Sequence, residues 1–212
     1  MSKRPNSFAR PGQIRIIAGR WRGRRLEFPA ISGLRPTGDR VRETLFNWLM
    51  PDLPGARCLD LFAGSGALGL EAASRHAGAV VLVEQNAQAC RALQQHCSNL
   101  QANTVIVAHS DALTWLEANQ ALSEAFDIVF LDPPFDSGLL ADSVAALESG
   151  NWLAADALIY TESAVGQNFT ALADSHWELC RHRVFGSVDA RLYRHPSHGH
   201  ARESSPLIEQ RD

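Results

Sequence analysis

Cysteine is scarce in this 212-residue chain, and Cys58, Cys90, Cys97 and Cys180 form none of the close pairs that hold zinc or staple a small secreted scaffold. Cys90 and Cys97 lie seven apart in a helical pattern, which places both on one buried face. Long apolar runs are missing too. None approaches the ~18 residues of a membrane span, and the start, "MSKRPNSFARPGQ", has basic residues without the apolar stretch of a signal peptide. The expectation is a soluble protein of a reducing compartment, the cytoplasm. Acidic residues are rare at one end only. Residues 1–57 hold 12 Lys+Arg against 4 Asp+Glu, a balance of +8, while the rest holds 8 against 19, a balance of −11, within a net charge of −3. All but one of the early positive charges are arginine, whose planar fork suits phosphate better than a lysine point charge does. Such asymmetry points to a nucleic-acid-facing arm on an acidic body, with a merely solvated basic face as the plain alternative.

The length fits one sizeable domain, expected to fold without staples. Residues 1–12 read as a disordered start. Residues 13–55 read as a basic extension: "IRIIAG" and "RRLEFP" flank "RWRG" as a short β-hairpin, and "LRPTGDRVRETLFNWLMP" supplies a helix. Thr37 or Asp39 is the expected N-cap of that helix, and Val41, Leu45, Trp48 and Leu49 its apolar face, with Arg40 and Arg42 pointing elsewhere. Over 56–195, strands alternate with amphipathic helices: "RCLDLF", "AVVLVE", "TVIVAHS", "FDIVFLD" and "DALIYTES" are the strands, and "HWELCRHRVFG" with "DARLYRH" a closing antiparallel hairpin. That alternation predicts an α/β fold with a mostly parallel sheet covered on both faces. Residues 196–212 are polar and turn-rich, and a disordered tail is expected. His195, His198 and His200 have a metal-like spacing, but nothing nearby completes a site, so no metal is expected.

Two strand ends carry chemistry. The first runs into "LDLFAGSGALGLEAASR", where Gly64, Gly66 and Gly69 let backbone approach a ligand and let helix pack on strand. The second ends in Glu84, 18 residues after Gly66, where an acidic residue grips ribose hydroxyls in nucleotide-binding sheets. The same spacing fits a dinucleotide binder, so the loop alone leaves the cofactor open. Three features favour S-adenosylmethionine. Asp60 precedes the glycines, where a zwitterion's ammonium needs a carboxylate; Asp111, after the third strand, can accept from an adenine amine; and the fourth strand ends in "DPPF", which has no use in hydride transfer.

An exocyclic amine on a base is a poor nucleophile because its lone pair is delocalised into the ring. If Asp132 and the Pro133 carbonyl each accept one N–H, that lone pair can localise toward a methylsulfonium. Pro133 and Pro134 cannot donate to a sheet ladder, so they lie beyond the strand as a rigid turn. Phe135 would stack on an extracted base.

Together, "LDLFAGSGALGLEAASR", Glu84, "FLDPPF", "RIIAGRWRGRRL" and "LRPTGDRVRETLFNWL" closely resemble the RsmD family, bacterial methyltransferases that modify guanine N2 in small-subunit ribosomal RNA. The resemblance covers roughly residues 13–195. It implies a Rossmann-like class I methyltransferase fold with a seven-stranded sheet, S-adenosylmethionine as methyl donor, and one 16S ribosomal RNA guanine as substrate, within partly assembled 30S subunits. The expected catalytic residues are Asp132, Pro133, Pro134 and Phe135. Those facing the cofactor would be Asp60, Phe62, Gly64, Ser65, Gly66, Glu84, Asp111 and Ala112, and those facing RNA Arg15, Arg20, Arg22, Arg24, Arg25, Arg35, Arg40 and Arg42. Related amine methyltransferases often have Asn at Asp132, and a carboxylate suits guanine, whose N1–H and N2 amine both donate along one edge. The alternatives are an adenine-N6 methyltransferase acting on DNA or RNA, an NAD-dependent oxidoreductase, and a non-catalytic RNA-binding protein. Nothing in the sequence demands more than a monomer.

Overall fold

The computed structural model describes residues 11–31, 36–120, 124–134, 137–166 and 176–196. The disordered ends expected at 1–12 and 196–212 fall almost wholly outside these residues, as do Arg35 and Phe135. A two-stranded antiparallel hairpin comes first, β1 (Gly12–Arg15) and β2 (Arg25–Phe28), then α1 (Asp39–Trp48). The body follows as β3 (Arg57–Asp60), α2 (Gly69–Ser74), β4 (Ala79–Glu84), α3 (Ala87–Leu100), β5 (Val105–His109), α4 (Ala112–Asn119), β6 (Phe126–Leu131), α5 (Leu139–Ser149), β7 (Leu153–Ala164), β8 (Glu178–Phe185) and β9 (Val188–Arg194). Seven of these strands form one sheet in the order β5-β4-β3-β6-β7-β9-β8, parallel from β5 through β7 and antiparallel over β9 and β8. The closing hairpin lies where the sequence pattern put it.

Period-two alternation sorts side chains onto two sheet faces. Cys58, Val80, Leu82, Ile128, Phe130, Leu158 and Tyr160 face one layer, and Leu59, Val83, Val129, Leu131 and Ile159 the other. The first layer is not made by the body alone. Ile14, Ile16, Trp21, Leu26 and Phe28 of the hairpin region and Val41, Leu45 and Phe46 of α1 are buried in the same cluster. The described part of residues 13–55 therefore packs into the body's core and is no loose arm.

The docking is polar as well as apolar. Glu71 of α2, fully buried, accepts from the backbone N–H groups of Ile17 (2.7 Å) and Ala18 (3.0 Å) and from Arg75 Nε (2.7 Å). Arg42, also fully buried, places Nη1 3.6 Å from Glu71 Oε2, while its Nη2 donates to the Arg15 carbonyl (2.9 Å) and to Asp39 (2.6 Å). Ser74 adds two bonds, accepting from Trp21 N and donating to the Ala18 carbonyl. Gly19, at φ +81°, lies against the Ser74 carbonyl where any Cβ would collide.

Two expectations fail here. Arg42 cannot meet phosphate, because its guanidinium has no exposed surface and is committed to Glu71, Asp39 and a carbonyl. The cap of α1 is neither Thr37 nor Asp39 but Gly38, which makes no side-chain cap bond. The Thr37 hydroxyl points instead at Asp132, and the Asp39 carboxylate is drawn to Arg42 and Arg15.

Removing one member of a buried, hydrogen-bonded ion pair costs about 3–5 kcal/mol, since the partner stays buried and uncompensated. Glu71→Ala strands Arg42 and two backbone donors together. Chemical denaturation of this variant should show a loss of that size, against a change within about 0.5 kcal/mol for the exposed control Glu43→Ala.

Candidate active site

The strand order turns back between β3 and β6: β4 and β5 extend the sheet on one side, β6 and β7 on the other. Ligands of open α/β sheets bind beyond the carboxyl ends of strands at such a point. A cavity of about 640 Å³ lies there. Asp60, Phe62, Gly64 and Ser65 reach it from β3 and its loop, Glu84 from the end of β4, Asp111 and Ala112 from the start of α4, Asp132, Pro133 and Pro134 from the turn after β6, and Pro36 and Thr37 from the segment before α1.

Gly66 is a correction. It is absent from the cavity wall, and its Cβ position is filled by Leu93 and Leu70 rather than left open for a ligand. At φ +78°, with its N–H bonded to the Ala63 carbonyl (2.6 Å), it serves the loop's turn and packing. Ten of the other expected residues do meet at the cavity, while Phe135 lies outside the described residues.

Backbone amides hold the carboxylates. Glu84, buried, accepts from Gly64 N (2.8 Å) and Asn86 N (2.6 Å), fastening the glycine loop to the end of β4. It does not cap α3, which Asn86 caps with its own side chain. Each oxygen keeps a second lone pair for a ligand hydroxyl. Asp111 caps α4 through Oδ1, accepting from Leu113 N and Thr114 N at 3.1 Å, and among the described residues Oδ2 accepts no hydrogen bond from the protein. Pro134 closes its turn by accepting from Ser137 Oγ (2.7 Å).

Asp60 decides between the two cofactor types. Its Oδ2 accepts from Gly69 N (2.9 Å) at the start of α2, so a carboxylate fills the place where a dinucleotide's pyrophosphate would take those amides. Four carboxylates, Asp60, Glu84, Asp111 and Asp132, line the cavity, and among the described residues no Lys, Arg or His lines it. Such a wall repels a pyrophosphate and suits a ligand carrying positive charge. Burial pushes the Asp60 carboxyl up to about 7, opposed by the Gly69 N–H and helped by the neighbouring Asp132 and Glu84.

Sequence reading missed two residues at this site. Cα registers set Asp60 beside Phe130 and Phe130 beside Tyr160, so Asp132 and Glu162, each two residues farther along, share the face of Asp60. Glu162 is buried, accepts from Tyr160 Oη (3.0 Å), and is pushed upward by burial first and by Asp132 second. Asp132 retains some exposure at the cavity, yet burial raises it as well, against a hydrogen bond from Thr37 (3.4 Å). An acid two residues beyond the apolar run "ALIY" was the available signal for Glu162. Thr37 had none, since its neighbours also fit a helix cap.

The family profile described as "Conserved hypothetical protein 95" matches residues 14–194. "Ribosomal RNA small subunit methyltransferase D" of Escherichia coli K12 is 47% identical over 197 residues, which are 93% of this chain and 97% of that one. The protein of the same name from Haemophilus influenzae is 43% identical, over 86% and 94% of the two chains. The chain belongs to the RsmD family. Among solved structures, the Escherichia coli protein yhhF superposes with a TM-score of 0.77 at 44% identity, covering 88% of this chain and 99% of the other. As in the RsmD family generally, the architecture is that of class I methyltransferases, with S-adenosylmethionine as cofactor. The four-carboxylate cavity of this RsmD-family chain fits that group.

Proposed function

We propose that the protein transfers a methyl group from S-adenosylmethionine to the exocyclic N2 amine of a guanine in small-subunit ribosomal RNA. The observation that carries this reading is Asp132, fixed by the diproline turn at the mouth of a cavity whose other wall is built from acceptors for a cationic nucleoside. The name borne by relatives at 43–47% identity supports ribosomal RNA as the substrate.

Bound S-adenosylmethionine supplies an electrophilic methyl on a sulfonium. The chain does the rest. Glu84 accepts from ribose hydroxyls, Asp111 Oδ2 from the adenine amine, and Asp60 from the ammonium of the amino-acid end. Asp132 accepts from the guanine amine and holds it so that its lone pair leaves the ring plane, an interaction strongest in the transition state. Arg15, Arg20, Arg22, Arg24, Arg25 and Arg40, all exposed on the hairpin region and the start of α1, meet RNA phosphates. The protein acts in the cytoplasm as a monomer, on RNA within partly assembled small subunits.

Labelled methyl donor, small-subunit RNA or subunits from cells lacking the enzyme, and nuclease digestion test the reaction. N2-methylguanine is the expected product, and N6-methyladenine would transfer the assignment to an adenine enzyme. Asp132→Ala should cut turnover by ~10²-fold or more while leaving donor affinity nearly intact, read by single-turnover kinetics and calorimetry.

Asp60 predicts a proton linkage. A bound cation favours its ionised form and lowers a carboxyl that burial holds at about 7 in the free protein. Donor binding should therefore release protons just below that pH, and affinity should rise with pH through it. Calorimetry in buffers of different ionisation enthalpy reads the release, which Asp60→Asn should abolish.

With four or five phosphate contacts, log affinity for RNA should fall against log salt with a slope of about −3 to −4. Replacing Arg20, Arg22 and Arg24 together should flatten that slope by about 2 to 3, leaving donor affinity unchanged. An unaltered slope would make the basic surface a solvated face.

A further inference from the structure

The acidic body has a basic region of its own. Of the 8 Lys+Arg after residue 57, Arg181, Arg183, Arg191 and Arg194 lie in the closing hairpin. Two of them are committed. Arg191 forks onto Asp189 through Nε and Nη2, both at 2.9 Å, and Arg194 stands opposite Glu178 and reaches the Asp156 carbonyl. Arg181 and Arg183 of β8 differ, since neither forms an ion pair among the described residues. Arg181 is exposed and donates from Nη1 to the carbonyl of its neighbour Cys180, while the Arg183 guanidinium lies 5.5 Å from the centre of the Phe185 ring.

Register fixes where these two side chains point. Arg181, Arg183 and Phe185 stand opposite Leu192, Ala190 and Val188 of β9, and Leu192, Ala190 and Phe185 pack in the layer that holds α1 and the hairpin region. Ala190 in turn stands opposite Glu162 of β7, which is level with Asp132 at the end of β6. Arg183 therefore ends a row that starts at Asp132, on one sheet face and at the cavity end of the strands. Three strand spacings put the two backbones about 14 Å apart. A nucleotide with its base at Asp132 and its phosphate outside bridges that gap when an extended arginine side chain meets it. Arg181 faces the same way about 7 Å farther along β8, a step that suits the neighbouring phosphate of an extended strand.

The turn arginines of the first hairpin lie elsewhere. Arg20 N donates to the Ser74 carbonyl at the C-terminal end of α2, whereas Gly69 at the start of that helix meets Asp60. These arginines hold RNA away from the reacting base and leave the phosphates beside it to other cations.

We infer that Arg183, aligned by Phe185 and followed by Arg181, is a second RNA-binding site, on the closing hairpin, that holds the sugar-phosphate strand next to the target nucleotide. This inference rests on the reading of RNA as the substrate. A guanidinium already stacked on a ring is oriented before phosphate arrives, so less freedom is lost on binding. The plainer role for charge on an edge strand is to block pairing with another chain. That role requires neither a shared face with Asp132 nor a ring beneath the guanidinium.

RNA binding in the presence of S-adenosylhomocysteine tests the contact without methyl transfer. Arg183→Gln should flatten the slope of log affinity against log salt by about 0.7 to 0.9, the share of one phosphate, and Arg183→Lys should restore it. Arg57→Gln, at the opposite end of the sheet and paired with Glu124, should leave the slope unchanged. Methylphosphonates, which carry no charge, then locate the contact. Placed beside the target nucleotide they should weaken wild-type binding, and that loss should largely vanish in Arg183→Gln, as expected for two halves of one contact. Losses that add, or an unchanged slope in Arg183→Gln, would overturn the inference and leave Arg183 as edge protection. Should that variant fail to fold, the wild type carries the test, and indifference to every flanking methylphosphonate would refute the site. Mapping the product separates the two claims. Coupling retained with N6-methyladenine as product would refute the guanine assignment and leave the site standing, whereas N2-methylguanine without coupling would sink the site alone.

Discussion

The buried contact between Arg42 and Glu71 is the constraint on which the other features depend. Glu71 lies on α2, the helix that begins as the glycine loop ends, and Arg42 on α1, which carries the basic segment. Burying two charges is costly unless their remaining donors and acceptors are satisfied. Here Ile17, Ala18 and Arg75 donate to Glu71, and Arg42 Nη2 donates to Asp39 and the Arg15 carbonyl; these partners belong to the hairpin region, α1 or the C-terminal end of α2. The pair therefore fixes the hairpin, α1 and the cofactor loop to one another. Because the Thr37 segment enters α1 directly, the same contact sets where Thr37 stands over Asp132.

This attachment changes how the charge asymmetry is understood. Basic residues at one end and acidic residues elsewhere suggested an arm that binds and a body that reacts. In the fold, the basic segment contributes Ile31, Pro36 and Thr37 to the cavity wall and a large share of one core layer. Its arginines divide by exposure: Arg20, Arg22, Arg24 and Arg25 face solvent around the hairpin turn, with Trp21 buried between them as its anchor, while Arg42 is structural.

Strand and helix positions were legible because they rest on local periodicity, which does not depend on partners. The same holds for Asp60, Glu84, Asp111 and Asp132, each at a strand end or helix start that the pattern itself locates. What the sequence concealed were contacts between residues distant along the chain. Thr37 reads as a helix cap since threonine fits that role locally, and only the docking of α1 diverts its hydroxyl to a residue 95 positions away. Arg42 reads as a surface arginine because periodicity alone cannot say that a buried glutamate waits opposite it. Gly66 reads as ligand-facing although Leu93 of α3 fills the space beside it. Glu162 needed the registers of three strands before its nearness to Asp132 could be inferred.

Those registers also explain why the site tolerates so much negative charge. Asp60, Asp132 and Glu162 follow one another across adjacent strands on one sheet face, and like charges so placed would repel strongly if all were ionised. Backbone donors relieve Asp60, the Thr37 and Tyr160 hydroxyls serve Asp132 and Glu162 in turn, and burial raises the carboxyls of Asp60 and Glu162. The result is a wall that is acidic in composition but only partly charged in the free protein. A polyanion gains nothing from entering such a cavity, so in the proposed reaction the phosphates remain outside with the arginines and only the neutral base passes in. On the proposed reading, a cationic cofactor in its half of the cavity would draw Asp60 into its ionised form, and the cofactor's charge would offset the negative charge beside Asp132.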